Sequence, residues 1–369
     1  RRTPADRIEA SYQENGRKCL ERERISSPIL RGREGQQTFL FKQTAKLSRR
    51  RFARRPAMAE EGFFNSAGHF FYNFALVFYY MLEAFVLKLV PRKYLYRKSI
   101  VGETVLVTGA GSGLGRLLAV RFAKRGARLV LWDIDRSGNE ETARMIKATG
   151  GEAWPFQCNV ADRAAVYDTA KEVKERVGRV DIIVNNAGVV TGKKMLDIPD
   201  EMILKTFQVN TLAHFWVIKA FLPEMLAVNH GHIVSISSLA GLGGVCRLTD
   251  YCASKFAAVG LQESLAMELA TEGYTGIKST TICPFFINTG MFAGANPGMF
   301  GFLDPEEVAD KAIDAVLANY ELLILPKAFY TLVELKTMLP VNSVLALSRA
   351  LGGFSVMDKF IGRGVAAKA

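Results

Sequence analysis

Cysteine is scarce in this chain of 369 residues. The five present, Cys19, Cys158, Cys246, Cys252 and Cys283, form an odd set without CxxC spacing, which supplies neither a disulfide framework nor a zinc site and fits a reduced, cytosol-facing environment. The four histidines fall into no HExxH pattern. His230 and His232 bracket Gly231 just ahead of an apolar run and read as solvated surface residues, not metal ligands. Solenoid-type internal repeats are missing as well. Charged residues make up only 23% of the chain against 49% hydrophobic, which excludes a disordered or fibrous protein and allows a large core.

Acidic residues are too few to balance the basic ones, and the formal net charge is +12. The excess is not spread evenly. Residues 1–57 hold 16 Lys and Arg against 6 Asp and Glu, leaving 32 basic and 30 acidic residues for everything after them. Methionine is absent before Met58, and the segment ahead of it is Arg-rich, aperiodic and poor in apolar residues. It reads as a tail with three competing origins: an over-extended gene model whose natural start is Met58, a basic arm, or a targeting extension. The apolar segment that begins directly after Met58 favours the first. With almost no basic excess in the remainder, a nucleic-acid partner is not expected.

From Gly62 to Leu82 there is no Asp, Glu, Lys or Arg, and the apolar character continues to Val90. A helix of about 20 such residues spans a bilayer core, but the abundance of Phe and Tyr suits a helix lying in the headgroup region equally well. Residues 58–98 are therefore expected to form a membrane anchor, spanning or interfacial, with membrane lipid as its partner. Glu60 and Glu61 precede it while Arg92, Lys93, Arg97 and Lys98 follow, which places what comes next on the cytosolic side.

Residues 99–325 alternate between short apolar runs and helical stretches. The runs Val105–Val107, Leu129–Trp132, Ala153–Phe156, Ile182–Val184, His232–Ile236 and Thr280–Cys283 read as buried strands. Between them Leu114–Arg125, Asn139–Ala148, Ala164–Val177, Glu201–Val228 and Cys252–Thr271 read as helices. This order predicts an α/β fold with one doubly wound parallel sheet of Rossmann type in a single catalytic domain. Residues 326–369 carry Phe329, Leu332 and Val333 on one helical face, a stop at Pro340 and a second apolar stretch over Val344–Leu351. They are expected as two amphipathic helices, packed on the domain or touching a membrane.

The chemistry-bearing motifs sit on this alternation. Thr108-Gly109-Ala110-Gly111-Ser112-Gly113-Leu114-Gly115 closes the first strand and opens the first helix. Glycines there give a tight turn and let the backbone approach a pyrophosphate that faces helix N-terminal amides. Asp133 ends the second strand, where a carboxylate binds the ribose hydroxyls and repels a 2′-phosphate, favouring NAD over NADP. Ser112 supplies no cation to reverse that preference, and Arg136 reads as a solvated helix start. Tyr251 and Lys255 are four residues apart on one helical face. An adjacent ammonium and a positive nicotinamide stabilise phenolate, bringing a phenol of pKa about 10 toward use as an acid/base. Ser238, 13 residues before Tyr251 and just beyond a strand, can hold the substrate oxygen.

This constellation resembles the short-chain dehydrogenase/reductase family over residues 100–325: Thr108–Gly115 matches TGxxxGxG, Asn185-Asn186-Ala187-Gly188 matches NNAG and Tyr251–Lys255 matches YxxxK. The resemblance implies a catalytic tetrad of Asn210, Ser238, Tyr251 and Lys255. Tyr251 would be the acid/base, Lys255 would orient the nicotinamide ribose and lower the tyrosine pKa, Ser238 would polarise the substrate oxygen and Asn210 would hold a relay water. It also implies that Asn186, Ala187 and Gly188 line the inner side of NAD and that Pro284 and Thr289 cap its carboxamide. Two positions depart from the pattern. Asn159 stands where an acid is usual, still able to bond adenine, and Phe285 stands where glycine usually follows Pro284, narrowing backbone freedom. Leu131-Trp132-Asp133-Ile134, Lys219-Ala220-Phe221-Leu222-Pro223 and Asp250–Phe256 look like the membrane-associated retinol dehydrogenases of that family. That likeness implies NAD-dependent oxidation of all-trans-retinol at the endoplasmic reticulum or lipid droplets, and a homodimer.

A lipophilic substrate also has support in the residues themselves. Between Pro284 and Asp304 stand Phe285, Phe286, Met291, Phe292, Met299, Phe300 and Phe302, separated by four glycines. Large apolar side chains on a mobile backbone suit a lid over a polyene or sterol, with Ser238, Phe286, Met291 and Phe292 as its substrate contacts. A hydroxysteroid or other lipid-alcohol dehydrogenase on the same scaffold, and an idle NAD-binding scaffold on lipid droplets, are the alternatives.

Overall fold

The computed structural model describes residues 63–89 and 97–362. The basic segment 1–57 and Arg92 and Lys93 lie outside the described residues. The chain divides into two compact units, residues 1–72 and 73–369. Helix α1 (Phe63–Leu89) comes first and runs 27 residues. Phe70, Phe71, Tyr72, Phe74, Phe78, Tyr79 and Tyr80 on it are all about half exposed or more.

Seven strands build one sheet: β1 (Thr104–Thr108), β2 (Arg128–Asp133), β3 (Ala153–Gln157), β4 (Ile182–Asn185), β5 (Gly231–Ile236), β6 (Ile277–Pro284) and β7 (Leu322–Leu325). Every pairing is parallel, in the order β3-β2-β1-β4-β5-β6-β7. The apolar run of each central strand is buried on both faces, because helices cover both. One face is covered by α2 (Gly113–Lys124), α3 (Arg136–Ala148) and α8 (Pro305–Leu317), whose Leu118, Phe122, Ile146 and Ile313 pack on Val105, Val107, Leu129 and Leu131. The other is covered by α4 (Arg163–Arg176), α5 (Asp200–Phe207), α6 (Ala213–Val228) and α7 (Thr249–Thr271). There Val173, Val217, Phe221 and Met225 meet Leu106, Val130 and Ile233. Strand order reverses between β1 and β4, which opens a crevice at their carboxyl ends.

Local chemistry sets the boundaries. The Asp162 carboxylate accepts from the Ala164 and Ala165 amides to start α4, and Asp304 does the same for Glu306 ahead of α8, where Pro305 takes the first turn. Strand β7 and helix α8 were not among the expected elements; a four-residue run cut off by Pro326 carries too short a pattern to stand out. The expected single helix Glu201–Val228 is broken at Gln208–Leu212 by a π-helical turn between α5 and α6. By length and hydropathy Asp200–Val228 resembles a membrane span, but nearly half of it is buried inside the domain. His232 corrects the expectation of a solvated histidine. It is fully buried between the Lys98 ammonium, 2.9 Å from Nδ1, and Thr280, 2.8 Å from Nε2, and burial holds its pKa well below the usual value.

Beyond β7 come α9 (Ala328–Met338) and α10 (Val341–Ala350), separated at Pro340 as the pattern predicts, then a turn-rich stretch through Lys359.

Candidate active site

The glycine-rich turn joins β1 to α2 with its backbones in contact. A Cβ on Gly115 would stand 2.0 Å from the Gly109 carbonyl oxygen, so only glycine allows the helix to start this close to the strand. Thr108 Oγ1 accepts from the Asn186 and Ala187 amides at 3.0 and 3.1 Å, and Asn186 Nδ2 donates to the Thr108 carbonyl at 2.8 Å. The turn and the loop leaving β4 are thus one unit. Asp133 accepts from the Gly111 amide at 2.7 Å and the Asp135 amide at 2.9 Å. Arg116 donates to the Gly111 carbonyl and reaches Gly138 and Thr142. Arg136 pairs with Glu140 at 2.8 Å on the surface.

A crevice of about 580 Å3 runs from Asp133 to Tyr251. Its walls include Gly109, Ser112, Leu114, Gly115, Asp133, Asn159, Asn186, Ala187, Gly188, Tyr251, Lys255, Pro284 and Thr289. Among the expected cofactor residues only Gly113 is off this wall; it opens α2 in a left-handed conformation. Asn159 Oδ1 accepts from the Ala161 amide at 3.1 Å. Met291 lines this crevice too, away from the apolar chamber described below. Lys205 and Val209, one helical turn apart, belong to the same wall and carry no motif that would have singled them out.

At the inner end, four side chains from three parts of the chain converge: Asn210 from the π-helical turn, Ser238 from the loop after β5, and Tyr251 and Lys255 from α7. Asn210 sits in the π-helical turn, fully buried, with Oδ1 accepting from the Val189 amide at 2.9 Å and Nδ2 donating to the Val189 carbonyl and the Ser254 hydroxyl, each at 3.0 Å. π-turns often mark functional positions because they redirect one side chain out of the helical register. Lys255 is buried and donates to the Ile236 carbonyl at 2.9 Å, with its nitrogen 5.7 Å from the centre of the Tyr251 ring. Burial lowers its pKa to about 8. Burial likewise pushes the Tyr251 phenol above its ordinary range, opposed by a hydrogen bond with the Ser238 side chain. Ser238 also accepts from the Ala240 amide at 3.1 Å.

On the far side of Tyr251 lies a second space, an apolar chamber of about 230 Å3. Ser238, Tyr251, Phe286 and Phe292 form its inner end; Leu242, Val245 and Leu248 form one side; Phe329 and Leu332 of α9, Leu347 of α10, and Leu339 and Leu351, which end those helices, form the other. Phe285 stacks on Phe329 at 5.1 Å and meets Phe286 edge-on at 4.9 Å. Its ring, expected to matter for backbone freedom, serves as chamber wall. Both spaces share Ser238, Tyr251, Phe285 and Phe292.

The family model described as short chain dehydrogenase matches residues 103–299. The chain belongs to the short-chain dehydrogenase family. It is therefore an oxidoreductase. Among its relatives, epidermal retinol dehydrogenase 2 of Homo sapiens is 48% identical over 285 residues, covering 76% of this chain and 91% of that protein. Estradiol 17-beta-dehydrogenase 11 of Rattus norvegicus is 43% identical over 276 residues, covering 75% of this chain and 92% of its own length. Of solved structures, a short chain dehydrogenase/reductase from Burkholderia phymatum in complex with NAD superposes with a TM-score of 0.61 at 28% identity, covering 65% of this chain and 95% of that one. A metagenomic short-chain oxidoreductase in complex with NADP gives a TM-score of 0.53 at 30% identity, covering 62% and 98%.

Proposed function

We propose that this dehydrogenase uses NAD to oxidise a lipophilic alcohol, with all-trans-retinol to all-trans-retinal as the favoured reaction. The observation that carries the reading is the apolar chamber meeting the dinucleotide crevice at Ser238 and Tyr251. The crevice suits NAD: its glycine turn leaves space that a Cβ would fill, the α2 N-terminus offers amides to a pyrophosphate, and Asp133 stands where a ribose diol would be read. No Lys or Arg near Asp133 belongs to that wall, and Arg136 is engaged by Glu140, so a 2′-phosphate lacks a partner. When bound, NAD supplies the hydride acceptor and a positive charge beside the phenol.

The protein's own groups then have distinct tasks. Tyr251 takes the hydroxyl proton as the alcohol carbon gives up hydride, so the alcohol loses two electrons and two hydrogens. The Ser238 hydroxyl holds the substrate oxygen within reach of that phenol. Lys255, charged below about pH 8, favours the phenolate electrostatically. Asn210 keeps the Val189 backbone and α7 in register, next to the route by which the proton leaves. Phe286 and Phe292 exclude water from the reacting carbon.

Residues 58–98 act as a membrane anchor in this reading, supported by the exposed aromatic side chains of α1, and place the enzyme at the endoplasmic reticulum or a lipid droplet with residues 99–325 toward the cytosol. The exposed Leu204, Leu212, Phe215 and Phe256 on α5 to α7 suit a homodimer contact. The test is retinal formation by membranes carrying the full chain, given all-trans-retinol and NAD, beside Tyr251→Phe. No retinal from the wild type, or equal retinal from the variant, overturns the assignment. A steroid alcohol is the second reading, supported by the likeness to the estradiol dehydrogenase, and turnover of retinol and estradiol side by side decides between them.

A further inference from the structure

Packed behind the inner end of the chamber is a segment that no motif announces. Val356 and Met357, 6% and 1% exposed, lie in the same buried cluster as Tyr251, Phe286 and Ala295. The Asn296 amide donates to the Val356 carbonyl at 2.7 Å, and the Ile361 amide donates to the Ala293 carbonyl at 2.8 Å. These bonds bind the segment along the glycine-spaced loop between β6 and α8, from Gly290 to Gly301. Phe360 lies 6.4 Å from Phe292, which in turn meets Tyr251 edge-on at 5.8 Å. On its other side the Phe360 ring is pressed on bare backbone, for a Cβ on Gly192 would fall 2.2 Å from the ring. Gly192 follows Thr191, whose hydroxyl donates to Asp250 at 2.7 Å, one residue before Tyr251.

We propose that residues 356–361 are a strap that sets the substrate side of the active site, with Phe360 as a positioning residue that holds Phe292 against Tyr251. The proposal rests on the reading of the site as that of a lipophilic-alcohol dehydrogenase. Phe360 is wedged between the loop leaving β4, which borders the cofactor crevice, and the loop that carries Phe292. Removing the ring frees Phe292 to turn away from the chamber's inner end, while the glycine turn, Asp133 and the loop after β4, which seat the dinucleotide, keep their contacts. A second clasp ties the strap to the opposite side. Asp358 pairs with Arg247 at 3.0 Å, and Arg247 holds a left-handed φ of 62°, rare for a residue with a long side chain, between the wall residues Val245 and Leu248. The strap therefore touches both the loop that carries Phe292 and the turn between Val245 and Leu248.

The test uses the full chain in membranes. Phe360→Ala is expected to raise KM for all-trans-retinol by about tenfold while kcat stays within about threefold and NAD affinity is unchanged. With NAD present, limited proteolysis is expected to cut between Met291 and Phe302 faster in Phe360→Ala and in Asp358→Arg, and at the wild-type rate once Arg247→Asp is added to Asp358→Arg. Wild-type KM together with wild-type cleavage in Phe360→Ala overturns the strap. A wild type that oxidises no alcohol, with cleavage still accelerated in the variants, overturns the functional reading and leaves the strap standing.

Discussion

The Asn210 amide donates to the Ser254 hydroxyl at 3.0 Å, and the Ser254 hydroxyl in turn donates a hydrogen bond to the Tyr251 carbonyl at 2.7 Å. The π-helical turn is thereby bonded to the first turns of α7, three residues from the phenol. Asn210→Ala leaves the Val189 amide and carbonyl without their side-chain partners in a buried place, at a cost of about 1–3 kcal/mol. Turnover is expected to fall by about a hundredfold because the helix carrying Tyr251 and Lys255 loses its register. Thermal unfolding and kcat, measured together, check this; a full kcat in a destabilised variant would show that Asn210 serves stability alone.

Asp133 holds the Gly111 amide in the free protein, and in the proposed complex with NAD it would meet the ribose diol. Asp133→Ala is expected to weaken NAD binding by about tenfold and to narrow the gap between NAD and NADP, since it removes a hydrogen-bond acceptor and a repelling charge together. Fluorescence titration with both dinucleotides reads each effect. Equal losses for the two would leave Asp133 with a role in shaping the glycine turn only.

Burial holds the Tyr251 phenol above its ordinary range in the protein alone, while Lys255 sits at about 8. Tyr251 is thus expected to stay protonated up to at least about pH 10 without NAD, and to ionise lower with it, because added positive charge favours the phenolate. Alcohol oxidation should accordingly rise with pH across the range in which that phenol ionises. The ultraviolet difference between wild type and Tyr251→Phe, recorded with and without NAD, follows the titration directly, and identical curves would overturn the role of the added charge.

Two histidines make the domain sensitive to acid. Burial lowers the pKa of His214 to about 3 and that of His232 well below 6.5. Below the unfolded value of about 6.5 the unfolded chain binds protons that the folded domain refuses, so stability falls as pH drops. From about pH 7.5 to about pH 5.5 each histidine is expected to cost on the order of 1 kcal/mol. Urea unfolding at the two values checks it: His214→Gln should flatten the decline, and an unchanged slope would place the sensitivity elsewhere.

The cofactor half of this molecule was readable because its signals are local. A strand, a glycine turn and the start of a helix fall within a dozen residues, and the distance to Asp133 is set by one helix and one strand. Tyr251 and Lys255 are neighbours on a single helix, so their spacing alone brings them together. The chamber is another matter: Phe285, Leu242, Phe329 and Leu347 come from four segments whose meeting depends on the whole sheet. Phe285 looked like a disturbance of the backbone until Phe329 supplied the ring it stacks on. The π-helical turn left no trace either, since Gln208–Leu212 continues the apolar pattern on both sides of it. His232 misled for a related reason. The polar Asn229 and His230 come shortly before it in sequence, and the partners that bury it, Lys98 and Thr280, are distant along the chain.

The bond from the Asn296 amide to the Val356 carbonyl also sets an order of events. A chain is synthesised from its amino end, and a domain folds as a unit once it has emerged. The glycine turn, Asp133 and the loop after β4 all precede Tyr251, whereas Val356, Met357 and Phe360 come more than a hundred residues later. The residues that meet a dinucleotide are thus spread from Gly109 to Thr289, whereas the alcohol compartment is completed only by the last helices of the chain and the segment behind them.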